Sequence, residues 1–250
     1  MMAVRWLRSK AEHSLRPRER GPMRNWYKER YLDLLGSIYI YNEHRGYTAI
    51  DRVLEAIASR WPHDRAFIAK VEKHRVDEYK HYLMFRRWFE RRGSMPLAID
   101  KACGHIDRFV GIMFGSTIDD LEPLELIGRD DLFERMCRVI SLTEQRGHRQ
   151  VEILLRHPVV KADPQLMKIF RIIERDEPSH WAPYDEWLEK HGRRKPSWWE
   201  RAIDGAIHSE LLFLKLPVLF LAIRTKRLER WPDGADDPAV IRKAPEALAA

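Results

Sequence analysis

The sequence predicts an all-α fold built from two copies of a helical hairpin. Three observations carry that expectation. Apolar residues recur at helical spacing through long segments. Alternating runs of β-branched residues, the mark of half-buried strands, are nearly absent. A pair of short motifs also recurs in the same order in both halves of the chain. Glu43-His44-Arg45-Gly46 precedes Asp77-Glu78-Tyr79-Lys80-His81, and Glu144-Gln145-Arg146-Gly147 precedes Asp176-Glu177-Pro178-Ser179-His180. The separation of Glu43 from Glu78 matches that of Glu144 from Glu177 to within two residues. Matched order and spacing of this kind indicate an internal duplication.

The helices follow in order. A first helix is expected over 26–59, and Pro62 then sits where a first-turn proline belongs. A second runs to 92 and stops at Gly93, with Pro96 beyond. Residues 97–115 read as a shorter connecting helix. Pro123 opens the approach to another long helix that ends before Pro158. Asp163 and Pro164 supply a cap and a first-turn proline for a helix reaching 191–192. Pro196-Ser197 begins the last helix, which runs to 230 with Pro217 inside it. The chain thus divides into a basic arm (1–24), a helical bundle (25–192), an additional apolar helix packed on it (193–231) and a loosely held tail (232–250).

Composition narrows the function. With 33% charged residues, a net charge of +7 and a mean hydropathy of −0.52, the chain has no apolar run long enough to cross a bilayer as a simple helix. Cys103 and Cys137 form no C-x-x-C pair, which fits a reducing compartment and a cytoplasmic location. Much of the positive excess lies at Arg5, Arg8, Lys10, Arg16, Arg18, Arg20 and Arg24. That arm suits nucleic acid or anionic lipid. No glycine-rich phosphate loop or nucleophile elbow is present.

The repeated motifs carry specific chemistry. Residues three apart on a helix share a face, so Glu78 with His81, and Glu177 with His180, each offer a carboxylate and an imidazole to one point. Glu43 and Glu144 lie within apolar stripes. A buried carboxylate in such a stripe needs a partner or a metal. Four carboxylates and two imidazoles in a bundle core are what two divalent metals require. His74 and His148 lie nearby and read as supporting or core groups, and Tyr47 reads as an aromatic beside the site.

This set, Glu43, Glu78-x-x-His81, Glu144 and Glu177-x-x-His180, resembles the di-iron carboxylate site of the ferritin-like superfamily. The resemblance implies a ferritin-like four-helix bundle and two iron ions, with manganese replacing one of them as a variant. It implies that Glu43 and His81 serve one iron, Glu144 and His180 the other, with Glu78 and Glu177 as bridges. By the same resemblance Asp77 supports His180 and Asp176 supports His81 across the bundle. Gly46 and Gly147 suit close helix approach, while Arg45 and Arg146 neutralise carboxylates beside the metals. Pro178 departs from the usual pattern and is expected to kink or bulge the helix ahead of His180.

The resemblance implies O2 chemistry, with a monooxygenase or hydroxylase as first choice and an external electron donor as partner. A ferroxidase or peroxidase is the weaker alternative: ferritins resemble plainer bundles that would not need the long extra C-terminal helix, and no paired C-x-x-C motif marks the second iron site of a rubrerythrin-like peroxidase. A hydrophobic, lipid- or quinone-like substrate is expected from the segment 211–223, which is apolar nearly all round. That segment reads either as a buried fifth helix or as a greasy surface at the periphery of the inner membrane, flanked by Arg193-Arg194-Lys195 and Arg224-Thr225-Lys226-Arg227. RNA is the alternative substrate, favoured by the pI of about 9.4. A homodimer is a further expectation, and a non-enzymatic helical scaffold is the remaining reading.

Overall fold

The computed structural model describes residues 22–99, 103–193 and 195–234. The basic arm and the tail therefore lie outside the described residues, apart from 22–24 and 232–234. The described residues are helical, with no strand among them; the exception to helix and loop is an isolated antiparallel bridge between Leu97 and Arg227.

The first hairpin pairs α1 (Pro22–Arg60) with α2 (Arg65–Arg91). The α2 start falls after the proline expected to open it. Asp64 accepts a hydrogen bond from the Phe67 amide at 3.1 Å and is the cap. The helix ends as expected, at Gly93 with φ +62, a conformation that a side chain disfavours. Three shorter or longer helices follow: α3 (His105–Phe114), α4 (Pro123–Gly128) and α5 (Asp130–Leu154). After the single turn α6 (Pro158–Lys161), α7 (Pro164–Asp176) begins at an Asp163 cap, and α8 (Pro178–Lys190) continues from it.

The helix expected over 164–191 is thus interrupted at Glu177. Pro178 has no amide hydrogen to donate, so the helical ladder lapses for a turn. The Glu177 amide still bonds Ile173 O at 2.9 Å, and the His180 amide closes a tighter turn onto Glu177 O at 2.8 Å. Glu177 keeps helical dihedrals (φ −47, ψ −44), so the chain resumes as a helix after the break.

The second hairpin is α5 packed against α8 and α7, and α2 packs on both α7 and α8 to join the halves. Two of the four apolar clusters lie within the paired hairpins. One gathers Ile40, Tyr82, Phe85, Phe89, Phe170 and Ile173, and the other Ile57, Val71, Phe133, Cys137 and Tyr184. Each long helix passes from one cluster to the other, and a layer of ionisable side chains lies between them. The last expected helix is shorter than its pattern suggested. It consists of α9 (Trp198–Glu210), a π turn (Leu211–Lys215) and α10 (Leu216–Leu221), and it ends near Ala222 rather than at 230. Pro217 would collide with the carbonyl four residues back in a regular helix, and the wider π turn ahead of it accommodates the ring. Residues beyond 222 run beside 95–98, where the Leu228 amide bonds Pro96 O and the Ala98 amide bonds Lys226 O, both at 2.8 Å.

Candidate metal centre

The layer between the apolar clusters draws one residue set from each long helix. Glu43 comes from α1; His74, Asp77, Glu78 and His81 from α2; Glu144 from α5; Asp176, Glu177 and His180 from the α7–α8 junction. All but Glu144 are buried, and His74, His81 and His180 are wholly inaccessible. Two compact groups of ligand-type atoms result. Glu43, Glu78 and His81 form one, and His74, Glu78, Glu144 and His180 the other, with the atoms of each group within 4.8 Å of one another. Glu78 belongs to both. Each group can hold a metal ion.

The distances define how the groups face each other. His81 Nδ1 lies 3.3 Å from Glu43 Oε2. His180 Nδ1 lies 3.2 Å from Glu78 Oε1 and 3.7 Å from both Glu144 Oε2 and Glu177 Oε2. Glu177 falls outside both compact groups, although its Oε2 is buried without a hydrogen-bond partner. His81 Nδ1, His180 Nδ1 and His74 Nε2 are buried and unbonded as well. Orphaned acceptors at such density are costly unless an ion occupies the space between them.

The opposite ring edges meet the aspartates. His81 Nε2 donates to Asp176 Oδ2 at 3.3 Å, and His180 Nε2 lies 3.7 Å from Asp77 Oδ2, an ion-pair separation longer than a hydrogen bond. Lys80 spans the two aspartates, its ammonium 2.5 Å from Asp77 Oδ1 and 2.6 Å from Asp176 Oδ2. Lys73 adds a second contact to Asp77, and Arg175 one to Asp176 at 3.0 Å. Burial opposes ionisation of both aspartates, but these cations and the imidazoles hold them well below the usual carboxylate range.

Within the layer the titrations are pulled apart. Burial and the charge of Glu43 push Glu78 up to about 7. Burial and the charge of Glu144 push Glu177 well above its ordinary value. Burial also opposes the charged forms of Glu144 and His81. The nearby His180 and His74 nevertheless hold Glu144 down at about 2, while Asp176 and Glu43 raise His81 to about 9. Glu78, Glu177 and His81 thus favour their protonated forms, and Glu144 its ionised form.

Glycine makes the first group possible. A Cβ on Gly46 would sit 2.1 Å from Glu78 Oε2, so only glycine leaves room for that carboxylate beside α1. At Gly147 the corresponding atom would meet Glu177 Oε1 at 3.5 Å, an ordinary contact.

Other expected participants lie elsewhere. Arg45 turns outward, to Asp107 at 2.5 Å and Asp119 at 2.9 Å, and so ties α1 to α3 and the loop after it. Arg146 pairs with Asp204 of α9 at 2.8 Å. Both arginines brace the surrounding helices instead of neutralising the layer, because a carboxylate outside the bundle captures each. Tyr47 packs among His44, Tyr79 and Tyr82, and His148 meets the Trp181 ring edge-on at 5.5 Å.

His74 is the residue that sequence reasoning undervalued. Its Nε2 lies 3.8 Å from both Glu78 Oε1 and Glu144 Oε1, and its Nδ1 is 3.1 Å from the Tyr184 hydroxyl. The ring stacks on His180 with centroids 4.4 Å apart. Burial and the neighbouring His180 lower its pKa to about 3, so it stands as a neutral imidazole. One signal was present: His74 precedes Glu78 by four residues and therefore shares its helix face. The matched motifs hid it, since the position that stands to Glu177 as His74 stands to Glu78 is Ile173.

Comparison with protein-family profiles, with curated proteins and with solved structures returned no match.

Proposed function

We propose that the protein is a di-iron, O2-dependent oxidoreductase of the ferritin-like kind, a monooxygenase or hydroxylase acting on a hydrophobic substrate. The observation that carries the reading is Glu78, a buried carboxylate common to two groups of unbonded imidazole and carboxylate atoms. That arrangement suits two ions sharing a bridge. Glu43 and His81 would hold one ion, and Glu144, His180 and His74 the other, with Glu177 close enough to join. Iron bound there would supply O2 activation with electrons from an external donor.

The chain's own contributions follow from the geometry. Asp176 fixes the His81 ring so that Nδ1 faces Glu43, and Asp77 stands behind His180 at the longer separation of 3.7 Å. The two apolar clusters keep bulk water from the layer. A cavity of about 100 Å³ lined by Ile50, Val110, Phe114, Met136 and Ile140 reaches Gly46 and Glu144. Its apolar wall supports the assignment of a small apolar molecule, O2 included, to that side.

Anaerobic Fe(II) loading followed by elemental analysis tests the reading. Two iron ions per chain, lost in Glu78→Ala, and oxidation of the iron on exposure to O2 are expected. Less than one iron per chain, or full loading of Glu78→Ala, would overturn it.

A further inference from the structure

The segment 211–223 is apolar nearly all round, Lys215 apart, and the fold covers only one side of it. Leu211, Leu216, Leu219 and Phe220 pack with Leu34, Ile38 and Leu97. Phe213, Leu214, Val218, Leu221 and Ile223 face outward and are 64–75% exposed. No residue of α10 is buried. The segment is nevertheless firmly anchored. The guanidinium of Arg30, itself buried, donates to the carbonyls of Leu219, Phe220 and Ala222 and to the Thr225 hydroxyl. So the outward face is a fixed feature of the surface, and an exposed apolar patch of this kind marks a binding face.

Three surroundings identify the occupant. Trp26 and Tyr27, both partly exposed, pack on Phe220 with ring centroids 5.4 and 5.2 Å away. Amphipathic rings at the rim of an apolar patch are typical of a membrane interface. Arg224 and Lys226 follow the patch and are exposed. Their charge complements lipid phosphate. Beneath the patch a groove of about 660 Å³ runs between α1, α5 and the π turn, lined by Tyr31, Leu35, Leu154, Leu216 and Phe220. Tyr39 also lines it, and its hydroxyl is buried without a hydrogen-bond partner one turn of α1 before Glu43. Among the described residues no helix is long and apolar enough to cross a membrane, so the contact is with its surface.

We infer that residues 212–223, with Trp26 and Tyr27, dock on an anionic membrane surface, and that the groove receives an apolar chain from that membrane. The docking is independent of the metal centre. Flotation with vesicles of phosphatidylcholine containing phosphatidylglycerol tests it, with iron content measured on the same samples. The full chain should float with these vesicles and less with pure phosphatidylcholine. Phe213→Ser with Leu221→Ser should lower partitioning by about ten-fold or more, and Arg224→Gln with Lys226→Gln by about five-fold per charge. Melting temperature and iron content should be unchanged, because none of these side chains packs in the core. Absence of flotation, or equal flotation of the variants, would overturn the inference. So would a dimer in solution that the Phe213→Ser, Leu221→Ser variant dissociates without any vesicle binding by the parent chain. Loss of iron with flotation intact would fall on the metal reading alone.

Discussion

His81 and Asp176 belong to the two halves of the chain that carry the matched motifs, yet His81 Nε2 donates to Asp176 Oδ2 at 3.3 Å across the bundle. His180 faces Asp77 in the reciprocal sense at 3.7 Å. Each repeat therefore supports the imidazole of the other, and neither hairpin could build its half of the layer alone.

Asp176→Asn and Asp77→Asn should leave the helical content intact while weakening Fe(II) or Co(II) binding by about 10–100-fold. The Asp176 change should be the larger, because Asp176 is within hydrogen-bond distance of its histidine and Asp77 is not. Metal titration followed by circular dichroism on the same samples checks both; equal affinity to the parent would refute the supporting role.

Gly46→Ala should fold and fail to load. The intruding methyl meets only the end of the Glu78 side chain, which can swing away, but the carboxylate then leaves both groups. A loss of more than about ten-fold in metal affinity is expected, the size seen when a supporting contact at a metal site is removed. Gly147→Ala meets its neighbour at ordinary distance and should bind metal normally, with a gain of about 0.5–1 kcal/mol in stability from helix propensity. Identical behaviour of the two variants would contradict the geometry.

His74→Ala should reduce bound metal from two ions to one and alter the visible spectrum of the Co(II)-loaded protein. Tyr184→Phe should keep both ions and weaken the second by less, because it removes only the hydrogen bond that orients the ring. An unchanged spectrum in His74→Ala would place that imidazole outside the coordination sphere.

Proton linkage gives a fourth expectation. Glu78 and His81 bind protons more tightly in the folded apoprotein than in the unfolded chain, with values near 7 and 9. Their contribution to apoprotein stability is present at low pH and is lost as pH rises, through about 7 for Glu78 and about 9 for His81. Metal must displace the same protons, so its affinity should rise over that interval. Apoprotein melting temperature should fall, and the stabilisation by metal grow, between about pH 7 and 9, above the range in which the neutral His74 acts in the opposite sense. Calorimetry in buffers of different ionisation enthalpy should register proton release on loading; no release would refute the raised proton affinities of Glu78 and His81.

Much of this was legible in the chain because helical periodicity is local. Glu78 and His81 share a face wherever their helix packs, and burial within apolar stripes makes lone carboxylates too costly to lack partners. The helix stop at Gly93, the cap at Asp163 and the break at Pro178 are likewise written in residue chemistry. Relations between helices were not legible, because they depend on which partners packing brings within a few ångströms. Arg45 and Arg146 follow their glutamates in sequence but are captured by Asp107 and Asp204 from helices outside the bundle. His74 has no counterpart in the second repeat, so only the fold reveals that its free nitrogen faces Glu78 and Glu144. Composition made 211–223 apolar nearly all round, but which side stayed in water was decided by Arg30 and α1, which hold the segment by one face and leave the other uncovered.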